Sequence, residues 1–509
     1  MPEIHSNPTE SSPLLPNDSL SYQPDHSDIQ HMNFKSIMKE THTLGKLAWP
    51  VLTSYVVKYS INVASVFSLG HFGTKYLAAS ALTTMLCNVT GFSLGSGMNS
   101  ALDTLCSQAF TGSPDPHALG KHLQRGFIVN SLMAIPIIGL WLYTEPILLL
   151  LGQDAEISRL SGIFAAWMIP GLLPYLFTDC CQRYLQCQGI MKPNLYIMLV
   201  ASPVNMFLQW LLVWSKYSIG IIGAPIATSI TNCLIFGLTI LYIKFIEGYE
   251  CWGGFAWKES MDWKQIYSFV KLGVPGILMT CSEWWAFEIV ALAAGLLGDD
   301  ILAAQTVVLN TGSLFFCVPL GLSIATATRI GNSLGANQPV ASKTVAATSY
   351  ILASTLATSN LIVLVIVKDV WGYLYTSDEH VVRLVANVLP IAALFQLTDG
   401  LCGMLVYFLK CIAVAGGILR GCGQQKLGGI INVVGYYAIG LPLGGLLTFK
   451  YNMGLNGLWI GLIVGETFVS LVALYYIIWK TDWNVQAQRA LALVRSHSSE
   501  YLSIYNEED

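Results

Sequence analysis

Two carboxylates and three aromatic rings share one short stretch, Thr280-Cys-Ser-Glu-Trp-Trp-Ala-Phe-Glu288. Both flanks are apolar: Leu272-Gly-Val-Pro-Gly-Ile-Leu-Met279 precedes it and Ile289-Val-Ala-Leu-Ala-Ala-Gly-Leu-Leu297 follows. A helix of roughly 25 such residues crosses a bilayer. An ionised carboxylate at that depth is costly, so it faces a protein interior or a wet cavity. A carboxyl group shielded from water titrates nearer neutrality and can therefore take up and release a proton across a physiological gradient. Glu283 reads as such a protonatable site in a transport pathway. Glu288 reads two ways, as a second functional carboxylate or as a group snorkelling from near the helix end.

Few other charged residues fall within apolar segments. Asp399, in Ala392-Ala-Leu-Phe-Gln-Leu-Thr-Asp-Gly400, lies in the same half of the chain as Glu283. Either carboxylate can bind a proton or neutralise a cationic substrate. Trp284, Trp285, Tyr436 and Tyr437 can offer ring faces to such a cation or simply pack in a core. Asp103, in Asn99-Ser-Ala-Leu-Asp-Thr-Leu-Cys-Ser-Gln108, reads as a structural residue at a segment end that caps it or pairs with a basic side chain. Glu466 is a lone carboxylate in the last apolar segment, with neither role favoured. Lys58, in the middle of the first segment, needs a partner or water, as a counter-ion or by snorkelling. His71, between glycines at a segment end, reads as structural.

The elements that must position these groups are membrane helices. The chain is 54% hydrophobic and 11% charged, against roughly 25% charged in soluble domains. Its net charge of −4 gives no nucleic-acid footprint. Cys87, Cys180, Cys181, Cys233, Cys281, Cys317 and Cys402 lie in apolar runs and read as buried neutral thiols. No metal-ligand spacing, catalytic triad order or phosphate loop is visible, so no cofactor, metal or enzymatic activity is expected. Transport would then be secondary, driven by an ion gradient.

Twelve apolar segments are long enough to span, at about 45–70, 77–100, 121–144, 157–183, 193–214, 220–245, 267–295, 302–328, 343–367, 384–410, 427–449 and 456–479. The expected fold is an all-α polytopic membrane protein of twelve transmembrane helices. Residues 1–40 are polar and read as a disordered tail. Residues 41–248 and 249–480 read as two six-helix lobes, and 481–509 as a second tail. Eighteen of the 26 basic residues fall on the side of the tails and six opposite, which predicts cytoplasmic termini. No cleaved signal peptide is expected at the start. Glu10 followed by Leu14-Leu15 fits a dileucine sorting signal read by adaptor complexes, and Tyr501-Leu-Ser-Ile504 fits a tyrosine-based one.

The two lobes are copies. Leu47-Ala-Trp-Pro50 returns as Leu272-Gly-Val-Pro275, and Gly70-His-Phe-Gly73 as Gly295-Leu-Leu-Gly298, both at an offset of 225. Lys192, Lys216-Tyr217 and Gly220 return as Lys426, Lys450-Tyr451 and Gly454, at 234. Six helices per copy keep both copies in one orientation. Transporters of this kind bind near midplane and alternate access as the halves rock. Asp154 and Arg159-Leu160 return as Asp378 and Arg383-Leu384, at 224, and the jump from 224 to 234 places ten extra residues, Leu405–Val414, between Arg383 and Leu419. They read as an insertion or a mistaken exon boundary.

At this point the motifs become family-specific. Gly70-His-Phe-Gly73, Asn88-Val-Thr-Gly-Phe-Ser93, Gln186-Cys-Gln-Gly-Ile-Met-Lys-Pro193, Glu283-Trp-Trp-Ala-Phe-Glu288, Arg329-Ile-Gly-Asn-Ser-Leu-Gly-Ala336 and Leu419-Arg-Gly-Cys-Gly-Gln-Gln-Lys426 occur in one order. Over roughly residues 45–480 the chain resembles the multidrug and toxic compound extrusion (MATE) family, closest in character to its fungal members. The resemblance implies a V-shaped twelve-helix antiporter exchanging protons for organic cations, xenobiotics or related metabolites. It implies proton coupling at Glu283 and Asp399 and substrate handling at Glu288. The polar position of the eighth helix falls on Asn310, where some members carry Glu. Leu405–Val414 departs from the family pattern. A vacuolar membrane is the favoured location, the plasma membrane the other. The alternative reading is a flippase of an amphipathic or lipid-linked substrate, against which the few intramembrane basic residues count.

Overall fold

The computed structural model describes residues 34–70, 74–376, 378–400 and 412–505. The signal at Glu10, Leu14 and Leu15, His71, Cys402 and most of Leu405–Val414 lie outside the described residues. Helix α1 (Phe34–Gly70) is 37 residues long. It is followed by α2 (74–112), α3 (Ala118–Leu142), α4 (Ala155–Cys187), α5 (Lys192–Trp214) and α6 (Gly220–Phe245). The second set is α7 (Trp263–Gly295), α8 (Asp299–Gly335), α9 (Pro339–Leu374), α10 (described as Glu379–Gly400 and Ile412–Gly421), α11 (Gln425–Lys450) and α12 (Gly454–Lys480). A last helix, α13 (Trp483–Tyr505), follows. Among the described residues there is no strand, and nine helices are long and apolar enough by themselves to cross a membrane. With α1, α2 and α10 they make the twelve expected passes.

Short polar links and helix-end residues separate the passes. Asp154 caps α4 by accepting from the Glu156 and Ile157 amides, and Asp262 caps α7 by accepting from Lys264. The helices carry internal prolines, Pro50 in α1 and Pro275 in α7 among them, at equivalent places in the two copies. Neighbouring helices can satisfy the backbone groups that such prolines free. The α2 helix loosens to a π-turn at Asn88–Phe92, and α11 does so at Val434–Gly440.

The packing repeats with the sequence. In the first half α1 lies on α5, α3 on α4 and α4 on α6; in the second, α7 lies on α11, α9 on α10 and α10 on α12. Across the halves α2 packs on α7 and α1 on α8, a pair of contacts related by the same two-fold relationship. One buried core, around Leu102, Tyr184 and Phe269, joins helices of the first half to α7, and another, around Val290, Trp459 and Leu462, lies within the second half. Most cysteines are buried as expected, but Cys233 is exposed, because its helix surface is apolar enough to face lipid.

The halves meet closely where α2 runs against α7 and α8. A Cβ on Gly97 would stand 2.5 Å from the Ile277 Cα of α7, and one on Gly112 would stand 2.8 Å from the Gly335 carbonyl oxygen of α8. Only hydrogen at those positions lets two backbones approach so far. Side chains then tie this end together. Gln108 Nε2 donates to the Gly421 carbonyl at 2.9 Å, and Thr111 Oγ1 donates to the Asn332 carbonyl at 2.7 Å. Asn332 Nδ2 donates to the Cys187 carbonyl at 3.1 Å, and Gln425 Nε2 to Thr104 Oγ1 at 2.8 Å. Glu40, near the start of α1, takes Arg329 of α8 in a two-point pair at 2.9 and 3.0 Å.

Candidate functional site

Between the halves lies a cavity walled by residues of both, with about 1500 Å³ of empty space when the open solvent at its mouth is included. Among the described residues its charged lining consists of Lys58, Arg183 and Arg420 against Asp103, Asp179 and Glu283, three of each sign. Five of these six stand on the N-terminal half's α1, α2 and α4 or on α10; Glu283 stands on α7 beside Trp284, which also lines the cavity. An apolar wall with a few converging charges is the usual build of a small-molecule site.

The site is assembled from helix faces. On α4, Tyr175, Asp179 and Arg183 are spaced by four residues and so share one stripe, turned toward the cavity. Asp179 is fixed by Arg183 Nε at 3.3 Å and by Asn99 Nδ2, which donates at 2.9 Å. Asn99 is itself held by Asn130 Nδ2 at 2.6 Å. Asp103 of α2 stands between two guanidinium groups: Arg183 pairs with it from the same half, and Arg420 Nε reaches it at 3.2 Å from the other. Arg420 also donates from Nη2 to Ser323 Oγ at 2.9 Å, and Arg183 from Nη2 to the Ser96 carbonyl at 3.3 Å. This network is nearly dry, with the side chains of Asp103, Asp179, Arg183 and Arg420 all less than a fifth exposed. Charges so placed hold one another because removing any one strands its partner.

Of the residues singled out from the sequence, the cavity brings together Glu283, Trp284, Lys58 and Asp103, while Glu288, Asn310, Tyr436, Tyr437 and Glu466 are not in its lining. Glu288 is half-buried on α7 away from its wall. Asn310 of α8 accepts a hydrogen bond from the Tyr59 hydroxyl at 2.8 Å, joining the halves outside the cavity lining. Tyr436, 1% exposed, belongs to the core of the second half with Phe395 and Trp459, and Tyr437 packs against the same cluster. Asp399 is in α10, and its side chain lies outside the described residues. Glu466 is buried within α12.

Asp103 is a correction. Expected at a segment end, it lies well inside α2, which continues to residue 112, and it faces the cavity rather than the membrane surface. It does pair with basic residues, but with two of them in the interior. Asp179 escaped the sequence reading altogether, and Arg183 and Arg420 are two of the eighteen basic residues that it assigned to the side of the tails. Their signal was available: Asp179 and Arg183 stand four apart at the end of an apolar segment, with Asp103 the nearest carboxylate in another. The lysine in mid-segment, Lys58, lies over the Tyr175 ring with its ammonium 4.6 Å from the ring centroid.

Known proteins match along almost the whole chain. A family model described as MatE matches residues 50–211 and 275–446, more than half of the sequence. Protein DETOXIFICATION 16 of Arabidopsis thaliana is 36% identical over 469 residues, covering 91% of this chain and 93% of that protein. Multidrug and toxin extrusion protein 2 of Mus musculus is 35% identical over 455 residues, covering 89% and 77%. Among solved structures, the eukaryotic MATE transporter AtDTX14 superposes with a TM-score of 0.83 at 31% identity, covering 90% of this chain and 100% of that one. The Vibrio cholerae MATE transporter VcmN, at 19% identity and a TM-score of 0.76, shares the fold.

Proposed function

Since the chain belongs to the MATE family and is therefore an integral membrane transporter, we propose that it exchanges protons for organic cations, xenobiotics or related metabolites. The observation that carries this reading is Glu283 on the wall of the cavity between the halves, with the Trp284 ring beside it. A carboxylate there can hold either a proton or a cation, and competition for one group couples their movements in opposite directions. Trp284 adds a ring face for a delocalised or quaternary cation. Asp399 is the second proton-coupling group of this scheme, and Glu288 the residue that handles substrate beyond the cavity wall.

In this scheme the lobes 41–248 and 249–480 rock about the α1–α8 and α2–α7 seams. The contacts among Asp103, Gln108, Thr111, Asn332 and Arg420 support a state closed at that end. We take that end to be the cytoplasmic one, with both termini on its side, because the basic residues favour it. The cavity then faces the opposite compartment, the lumen of a vacuole or the cell exterior. Sorting adaptors recognising Glu10, Leu14 and Leu15 would direct the protein to the vacuole. A lipid-linked substrate is the weaker reading, because Arg183 and Arg420 are committed to Asp103 and Asp179 and do not form a basic track.

The test is reconstitution into proteoliposomes with an imposed pH gradient and a fluorescent organic cation outside. Uptake that follows the gradient and collapses when a protonophore is added is the expected result. Uptake indifferent to the gradient, or absent from correctly inserted protein, overturns the reading.

A further inference from the structure

Among the described residues, the N-terminal half's wall of the cavity leaves one cation without a carboxylate. Asp103 and Asp179 are both engaged by guanidinium groups, the first by Arg183 and Arg420, the second by Arg183. Lys58, on the same cavity wall, has no carboxylate within ion-pair distance among the described residues. Its ammonium instead lies 4.6 Å from the Tyr175 ring centroid and 5.8 Å from that of Tyr55. Ring faces make up only part of the hydration that an ammonium loses on leaving water. The rings also fix where it points: Tyr175 is braced by Phe92, with centroids 4.4 Å apart, and all three aromatics stand on helices of one half. A lysine snorkelling to the membrane surface would not be held over rings that line an interior cavity.

We propose that Lys58 receives an anionic group of the substrate (carboxylate, sulfonate or phosphate), so that the transported compounds include zwitterions. The cationic end of such a compound meets Glu283 and Trp284 on the other half, and its anionic end meets Lys58. One molecule then bridges the halves and satisfies a charge on each. The proposal rests on the cavity being the substrate site of a cation antiporter, as read above.

A matched pair of dyes tests it. Rhodamine 110 carries a free carboxylate beside its cationic ring system, and rhodamine 123 is its methyl ester, with the positive charge alone. Initial gradient-driven uptake of each is measured in proteoliposomes of the wild type, Lys58→Met, Lys58→Gln and Lys58→Arg, using two neutral variants so that one misfolded protein does not decide the result. The expected result is a loss of about tenfold in the ratio of rhodamine 110 to rhodamine 123 uptake for the neutral variants, roughly one charge-assisted hydrogen bond. Lys58→Arg should retain the zwitterion. Equal losses for both dyes, or no loss for either, overturn the proposal by making Lys58 a structural residue or a bystander. A wild type that moves only rhodamine 123 overturns it too, while leaving cation transport standing. A wild type that moves neither dye under a held gradient defeats the antiporter reading and this proposal together.

Discussion

Asp103 takes two guanidinium groups from opposite halves, so its charge matters more than its size. Replacing it by Asn leaves Arg183 and Arg420 facing each other in a nearly dry site. Breaking a buried pair in this way costs about 3–5 kcal/mol. Asp103→Asn should therefore lower the melting temperature of the purified protein and reduce transport; an unchanged melting temperature would show the pairs to be idle. At this scale the sequence was partly legible. Glu283 stood out because a carboxylate in a long apolar run has few harmless explanations. Asp179 did not, because an acid four residues before an arginine near a helix end is the ordinary pattern of a surface pair. What moves the pair inside is the length of α4, which runs on to Cys187 and carries Arg183 along the cavity. The tyrosine pair on α11 was legible as aromatic but not as placed: Tyr436 is core, packed among side chains of α7, α8, α10 and α12.

At the scale of elements, the approach of α2 to α7 depends on Gly97. A larger residue there meets the Ile277 backbone, which cannot rotate aside as a side chain can. Gly97→Val should cost about 1–3 kcal/mol as overpacking and cut substrate uptake, whereas Gly237→Val on α6, where nothing lies within 4 Å, should leave both nearly unchanged. Equal behaviour of the two variants, in melting temperature and in uptake, would contradict the account. Helix number and order could be read from apolar segment lengths, and the equivalent prolines 50 and 275 marked the start of each copy. The π-turns at Asn88–Phe92 and Val434–Gly440 could not, since they answer to packing between helices rather than to any local residue pattern. Segment ends were short of the real helices because α1, α2, α4 and α8 continue past the apolar stretch as more polar turns.

At the scale of the molecule, the internal repeat was legible and the pairing between copies was not. The offsets 225 and 234 define two equivalent sets of six helices, but which of them touch is decided by surface fit: α2 on α7 and α1 on α8. If the halves rock, the end held by Thr111 and Asn332 must separate once per cycle. Thr111→Cys combined with Asn332→Cys, joined as a disulfide, should stop transport, and reduction should restore it. Continued transport by the cross-linked protein would mean that this end stays shut and that solutes pass by another route.

The central claim is that Glu283 exchanges a proton for substrate, and Glu283→Gln separates that exchange from mere binding. In proteoliposomes two quantities are compared for wild type and variant: accumulation of an organic cation against its gradient when a pH gradient is imposed, and one-for-one exchange of labelled for unlabelled cation with no pH gradient. The account predicts that Glu283→Gln loses pH-driven accumulation and keeps at least part of the exchange. A Glu283→Gln protein that still accumulates the cation as the wild type does, on the same pH gradient, would contradict it.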